Sequence, residues 1–169
     1  METTTQGTGG SLQLLLLLAF LIPAIFFLLT QQNTLKIIQP ANRLLLPGLV
    51  WLQLIPVLGQ IWQFFVVSLI AGSIRKEIAF RQADTTLGLF DAEAVGSLGK
   101  KPTLVIGIAY CTLSVTGIFL NLFLTFGADS PMLWFVPLIA LCSMGCWIIY
   151  WVQLAAVKKK MATLKLAAA

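Results

Sequence analysis

The chain has 169 residues, of which 59% are hydrophobic and only 10% are charged. A soluble domain carries about 25% charged residues, so the composition excludes a water-soluble globular protein and predicts a single domain embedded in lipid. The formal net charge of +5 does not indicate nucleic-acid binding, because the lysines and arginines stand at the ends of apolar runs, as membrane orientation requires.

In chain order, residues 1–11 are polar and rich in Gly and Thr, which is typical of a flexible tail. Apolar runs of about 19 residues or more then predict an all-α, polytopic membrane protein, a four-transmembrane-helix bundle over residues 12–157. The predicted spans are 12–30, 49–74, 104–126 and 132–157. The predicted connections are an interfacial segment at 31–48, a cytoplasmic loop at 75–101 and a basic cytoplasmic tail at 158–169.

The second predicted span, 49–74, carries no charge and contains three glutamines. At about 100° per residue, Gln53 and Gln60 lie on one line of a helix, with Gln63 beside them. The third span adds Ser114 and Asn121 on a stripe of small and polar residues. Amides inside a span favour contact with protein over contact with lipid, so we predict a polar seam that faces other helices.

The interfacial segment mixes apolar residues with two cations and two prolines, and we expect it to lie among lipid headgroups. Asn42 and Arg43 follow Pro40, and Arg43 is the isolated cation of this side. Two interpretations stay open for this pair: contact with an anion such as phosphate or carboxylate, or a cation that extends to the membrane surface.

Orientation follows from the positions of lysine and arginine. If each predicted span reverses the direction of the chain, nine of these residues lie on the side of the two tails and the middle loop, and two lie on the other side. This count places both termini in the cytoplasm.

The second and fourth spans end in similar strings, which begin at Trp62 and at Trp147 and continue to Arg75 and to Lys160. Both spans run toward the same side in the predicted topology. The similarity favours two parallel helical-hairpin repeats, related by an axis along the membrane normal.

The chain resembles a group of short, uncharacterised four-helix proteins of the bacterial inner membrane, a domain-of-unknown-function group. An Asn-Arg/Pro-Gly-x-Val-Trp-x-x-Leu-Ile-Pro pattern followed by a tryptophan carries the resemblance. Its matching positions are Asn42, Arg43, Pro47, Gly48, Val50, Trp51, Leu54, Ile55, Pro56 and Trp62. The resemblance implies a four-helix topology and the inner membrane, but it implies no activity and no functional residue.

The chemistry of a catalytic site is absent from the sequence. There is no histidine to activate the serines or the three cysteines, or to bind a metal or haem. No acidic residue lies inside a predicted span, and no glycine-rich loop has the strand and helix that phosphate binding requires. We therefore predict a protein that is not an enzyme and has no catalytic residue, no metal site and no cofactor.

Three functions stay open. The first is a packing or accessory subunit or scaffold, whose seam binds its own helices, a homo-oligomer or a membrane-protein partner. The second is an oligomeric channel or carrier for a small solute, lined by the glutamines. The third is a lipid-handling enzyme that uses Asn42 and Arg43. All three involve the lipid bilayer and none involves nucleic acid.

Overall fold

The computed structural model describes the backbone of residues 6–85, 103–125 and 135–167, with side chains for 14, 15, 18–81, 103–123 and 135–163. Within these ranges the regular structure is helical and contains no strand, which confirms the all-α prediction. Two short 3₁₀ helices, Pro40–Asn42 and Pro47–Leu54, lie between the first two long helices. The four long helices are α1 (Gln6–Ile37), α2 (Leu58–Thr85), α3 (Thr103–Thr125) and α4 (Phe135–Ala167).

Four helices are long and apolar enough to cross a membrane, as the sequence predicts. Large apolar side chains, such as Phe119 of α3 and Leu141 of α4, are exposed on their outer faces. Such faces indicate contact with lipid, because soluble proteins rarely expose so large an apolar surface to water. The apolar stretches that fit a bilayer are Leu18–Ile37, Leu58–Arg81, Thr103–Phe123 and Phe135–Thr163.

Helix α3 runs antiparallel to α2 and to α4. Gly107, near the start of α3, lies against Val67 of α2. Ser114, farther along α3, contacts Gln60 near the start of α2. On the other side of α3, Gly107 faces Tyr150 and Gly117 faces Ile139. Helices α2 and α4 therefore run in the same direction.

Helix α1 runs parallel to α4, and hence parallel to α2. Phe27 packs edge-on against Trp147, with ring centroids 5.5 Å apart, and Thr30 accepts a hydrogen bond from the indole of Trp151. The start of α1 and the end of α4 thus lie at opposite ends of the bundle. This arrangement does not fit the prediction that both termini lie on one side of the membrane.

Helices α1 and α2 can run parallel because the connection between them runs the length of the bundle in the opposite direction. We name this connection, residues 38–57, the crossing segment. Its residues meet α2 in antiparallel order: Asn42 contacts Glu77, and Leu44 contacts Ser73. Farther along, the carbonyl of Leu49 accepts from the indole of Trp62. From Gly59 to Glu77, α2 rises about 27 Å, which is most of the thickness of a hydrocarbon core.

The predicted second span, 49–74, is therefore wrong as a single helix. Its first part is the 3₁₀ helix Pro47–Leu54, and the backbone then turns before α2 begins at Leu58. Pro56 has no N–H to donate, and Val57 has a φ of 65°, a conformation that a β-branched residue rarely adopts. A Cβ on Gly59 would overlap the carbonyl oxygen of Gln53, so the turn requires glycine.

The predicted interfacial segment, 31–48, also differs from the structure. Its first seven residues complete α1, which ends at Ile37. Most of the remainder belongs to the crossing segment, where Leu45 and Val50 are buried between α1 and α2 rather than exposed to headgroups. Irregular backbone is tolerated at membrane depth only where protein covers it, and here the two helices cover one face of the segment while Leu46 and Val57 are exposed on the other.

The predicted connections need further correction. Helix α2 continues to Thr85, inside the predicted loop 75–101, and residues 86–101 lie outside the described part. Helix α4 continues to Ala167, so the predicted tail 158–169 is largely helical, and α1 begins at Gln6 within the predicted tail 1–11. The first pair of long helices is parallel and the second is antiparallel, so the predicted hairpin repeats do not share one arrangement.

Packing differs between the two ends of the bundle. The buried apolar core, which includes Leu35, Ile74, Leu154 and Met161, fills the half where α1, α2 and α4 end. We name this end the basic end. Its described cations are Lys36, Arg43, Arg75, Lys76, Arg81, Lys158, Lys159 and Lys160. The opposite half is more open, and it contains a large cavity.

Candidate functional site

A cavity of about 1150 Å³ opens in the half of the bundle away from the basic end. Residues 19–28 of α1 form one wall, and residues 110–122 of α3 and 136–147 of α4 form the other walls. The end of the crossing segment and the start of α2 complete it. Of the described residues that line it, none is charged, and most are apolar.

All five residues of the predicted polar seam line this one cavity. They do not share a single helix face, because Gln53 belongs to the crossing segment and Gln60 and Gln63 belong to α2. The turn at residues 55–57 nevertheless brings the three glutamines together, opposite α3. The seam residues in the cavity wall are Gln53, Gln60, Gln63, Ser114 and Asn121.

Two of the glutamines bind other parts of the chain. The Nε2 atom of Gln53 donates to Oε1 of Gln31, at 2.7 Å, and to the carbonyl of Val50, at 3.0 Å. The Oε1 atom of Gln60 accepts a longer hydrogen bond, 3.4 Å, from Ser114 of α3. These contacts join the crossing segment to α1 and α2 to α3, so both amides stabilise the bundle.

Gln63 is different, because its side chain is only 6% exposed and its amide lies against the side chains of Tyr110 and Cys111 of α3, without a hydrogen bond from Nε2 to a described residue shorter than 3.5 Å. It lies at the inner end of the cavity, beside Tyr110.

An aromatic cluster closes the cavity toward the basic end. The ring of Phe27 meets three rings of α4 edge-on, those of Trp147, Tyr150 and Trp151, at centroid distances of 5.5, 5.9 and 6.1 Å. Tyr150 is 1% exposed, and the packed core continues beyond it. The cavity therefore ends inside the protein and does not cross it.

Asn42 does contact an anion, but that anion is the protein's own Glu77. Its Nδ2 atom donates to Oε2 of Glu77 at 2.8 Å. Arg43 donates from Nε to the carbonyl of Ile38, at 2.8 Å, and from Nη2 to that of Lys36, at 2.9 Å. A cation at this position stabilises the carbonyl end of α1.

Glu77 and Arg81 form a buried ion pair that the sequence analysis missed. They are 0% and 5% exposed and lie at the end of the apolar stretch Leu58–Arg81, beyond the predicted span 49–74, which contains no acid. Glu77 accepts from Arg81, Asn42 and the N–H of Gln39, while Arg81 also donates to the carbonyl of Met161. The pair thus joins α2, α4 and the start of the crossing segment.

One signal could have revealed the pair. Glu77 and Arg81 are four residues apart on a helix, a spacing that places them side by side. Because they follow Arg75 and Lys76, they resemble the solvated charges that commonly end a transmembrane helix. In the fold they are covered by the crossing segment and by α4.

No protein-family model matches the chain, and comparisons with curated proteins and with solved structures found no match. Its class therefore rests on its own residues: an all-α, multi-pass membrane protein of four apolar helices, with an uncharged cavity inside one half of the bundle.

Proposed function

We propose that the protein is a non-enzymatic membrane protein that binds a small uncharged molecule in this cavity, as a binding protein or carrier. The observation that carries the proposal is an uncharged, mostly apolar cavity of about 1150 Å³ that has the amides of Gln53, Gln60 and Gln63 in its wall. Ligand cavities are mostly apolar, have a few converging polar groups and measure about 300–1000 Å³, so the lining agrees with this role and the volume is slightly above the usual range.

The cavity is built within one chain, so this role requires no oligomer. Because packed aromatic rings close it at one end, a carrier or binding protein fits better than a continuous pore. The cavity would bind a charged solute weakly, because no described lining residue could pair with its charge and burying an unpaired charge costs free energy.

A scaffold or accessory subunit is the second candidate. The interhelical bonds from Gln53 to Gln31 and from Ser114 to Gln60 favour it, because they use amides for packing. Under this alternative, the cavity would be covered by a partner subunit or by a second copy of the chain.

We also propose that the basic end faces the cytoplasm and the start of α1 faces the opposite side. All described cations lie at the basic end. Lys100 and Lys101 belong to the connection between α2 and α3, and at this end α2 ends and α3 begins. The positive-inside rule favours this orientation. Residence in the bacterial inner membrane follows only from the sequence resemblance and stays a prediction.

Photolabelling tests the binding role. The protein, in lipid nanodiscs, is irradiated with an uncharged aliphatic diazirine, with and without excess unlabelled compound, and labelled peptides are mapped by mass spectrometry. We expect saturable labelling within 19–28 and 136–147. Ala24→Phe, which fills the cavity from α1, should remove it, whereas Ala79→Phe, on an exposed position near the basic end, should not. Labelling that no competitor reduces, and that equals labelling of the exposed face around Val152, would refute the role.

A further inference from the structure

The cavity extends over the depth of one bilayer leaflet. It follows α3 from Tyr110 to Leu122 and α4 from Val136 to Trp147. At about 1.5 Å per residue these stretches measure roughly 17–18 Å, whereas the hydrocarbon layer of one leaflet is about 15 Å thick, half of the roughly 30 Å of a bilayer. The length of the cavity therefore suits a hydrocarbon chain that lies parallel to the helices.

The side of the cavity opens toward lipid. Five lining side chains from three helices are between 48% and 72% exposed, and all five are apolar. Lipid covers exposed apolar surfaces at membrane depth, so a chain can enter the cavity sideways from the bilayer without crossing water. The exposed lining side chains are Phe20, Ile118, Leu122, Leu141 and Met144.

The amides in the cavity wall contact the protein itself. Gln53 donates to Gln31 of α1, and Gln60 accepts from Ser114 of α3. The amide of Gln63 is buried against side chains of α3. The surface that these contacts leave for a ligand is mainly apolar, which favours hydrocarbon over a polar group in the interior of the cavity.

The part of the chain that lines the cavity has no lysine or arginine that could bind an anionic head group. Every lining residue belongs to 1–35, 44–74 or 102–157, and the sequence of these ranges contains neither residue type. Phosphate and carboxylate groups are commonly bound by such cations. A head group without charge is therefore favoured at the outer end of the cavity.

We propose, resting on the function proposed above, that the ligand is an uncharged single-chain lipid, such as a monoacylglycerol or a long-chain alcohol. Its chain lies in the cavity, and its head group stays at the membrane surface opposite the basic end. A chain in the cavity gains dispersion contacts with walls on several sides. Fit determines the selectivity, because the lipid phase that the chain leaves is as apolar as the cavity.

The depth of photolabelling tests this orientation. Two monoacylglycerols of equal chain length are used in nanodiscs of zwitterionic phospholipid, one with a diazirine at the chain end and one with a diazirine beside the ester. We expect the chain-end probe to label residues 110–114 and 143–147, and the ester-side probe to label 118–122 and 136–140. Excess unlabelled monoacylglycerol should remove both signals. Equal or reversed depths for the two probes would overturn the proposal.

A pair of tryptophan variants checks that the probes bind inside the cavity. Ala140→Trp adds an indole to the cavity wall near its outer end and should weaken binding of both probes at least about tenfold, which corresponds to about 1.4 kcal/mol. Cys142→Trp is the matched control, because Cys142 is exposed on the same helix but does not line the cavity. Equal affinities of the two variants would place the probes outside the cavity and overturn the proposal.

The outcomes separate this proposal from the binding role. If photoreactive cyclohexanol gives saturable labelling of the cavity and the chain probes do not, the chain lipid is wrong but the binding role stands. If an ionised fatty acid binds as tightly as the monoacylglycerol, the uncharged head group is wrong and the binding role again stands. If neither the chain probes nor cyclohexanol gives saturable labelling, both proposals fail.

Discussion

The Nδ2 atom of Asn42 lies 2.8 Å from Oε2 of Glu77, and this contact joins the start of the crossing segment to α2. The sequence prediction placed these two residues on opposite sides of the membrane. Their contact, together with the parallel course of α1 and α4, places them at the same end of the bundle.

Cysteine labelling checks this geometry. In a chain whose three native cysteines are replaced, Ala41→Cys and Ala79→Cys should react with a membrane-impermeant maleimide from the same side, because both positions are exposed at the basic end. A tag before Gln6 should be accessible only from the other side. Reaction of the two cysteines from opposite sides would support the topology predicted from the sequence and would show that residues 38–57 do not run back along the bundle.

Loss of the Glu77 charge should strongly destabilise the protein. Glu77→Gln leaves the guanidinium of Arg81 buried without its carboxylate, and breaking such a pair from one side costs about 3–5 kcal/mol. The double variant Glu77→Gln/Arg81→Gln should be less destabilised than the sum of the two single variants. The measurement is the free energy of unfolding in mixed micelles, and strictly additive effects would show that the two charges do not interact.

Ser73 should be essential to the crossing segment. Its hydroxyl accepts from the N–H of Leu44, at 2.9 Å, and donates to the carbonyl of Leu69. Ser73→Ala leaves the half-buried Leu44 N–H without its partner, which costs about 1 kcal/mol. Ser68→Ala, on an exposed position of the same helix, should change the unfolding free energy by less than about 0.5 kcal/mol. Equal effects of the two changes would contradict the contact.

Gly107 allows α2, α3 and α4 to meet closely. A Cβ there would overlap Val67 and lie 3.0 Å from Tyr150, so Gly107→Ala should cost about 1–3 kcal/mol through overpacking. Gly145→Ala adds a methyl where nothing lies within 4 Å, so it should be neutral or slightly stabilising, since alanine favours helix more than glycine does. Thermal unfolding in detergent compares the two, and a stable Gly107→Ala variant would disprove the close packing.

The apolar runs predict the long helices well because helix in lipid depends mainly on length and hydropathy. Helix α3 begins at Thr103 and ends at Thr125, against a predicted span of 104–126. The same criterion fails at residues 49–57, since an apolar 3₁₀ helix and an apolar α-helix have the same hydropathy. Pro47, Pro56 and Gly59 signalled a kink, but nothing in the pattern distinguishes a kink from a full reversal.

The sequence predicted which residues form the candidate site but not how they are arranged. The amides of Gln53, Gln60 and Gln63 were expected to face protein, and they do line one cavity with Ser114 and Asn121. Which partner each amide meets depends on residues far away in sequence, such as Gln31 for Gln53. Helical periodicity describes only neighbours on one helix, so these contacts could not be identified without the fold.

The crossing segment has a consequence for the order of synthesis. Its polar backbone and side chains are held by Trp62, Ser73 and Glu77, all of which the ribosome adds later. In lipid these groups cannot remain unpaired, so the segment and α2 must enter the membrane together, as one hairpin, after α1 is already in place. Since residues 44–74 carry no charge, insertion of this hairpin from the basic end would move no ionised side chain through the bilayer.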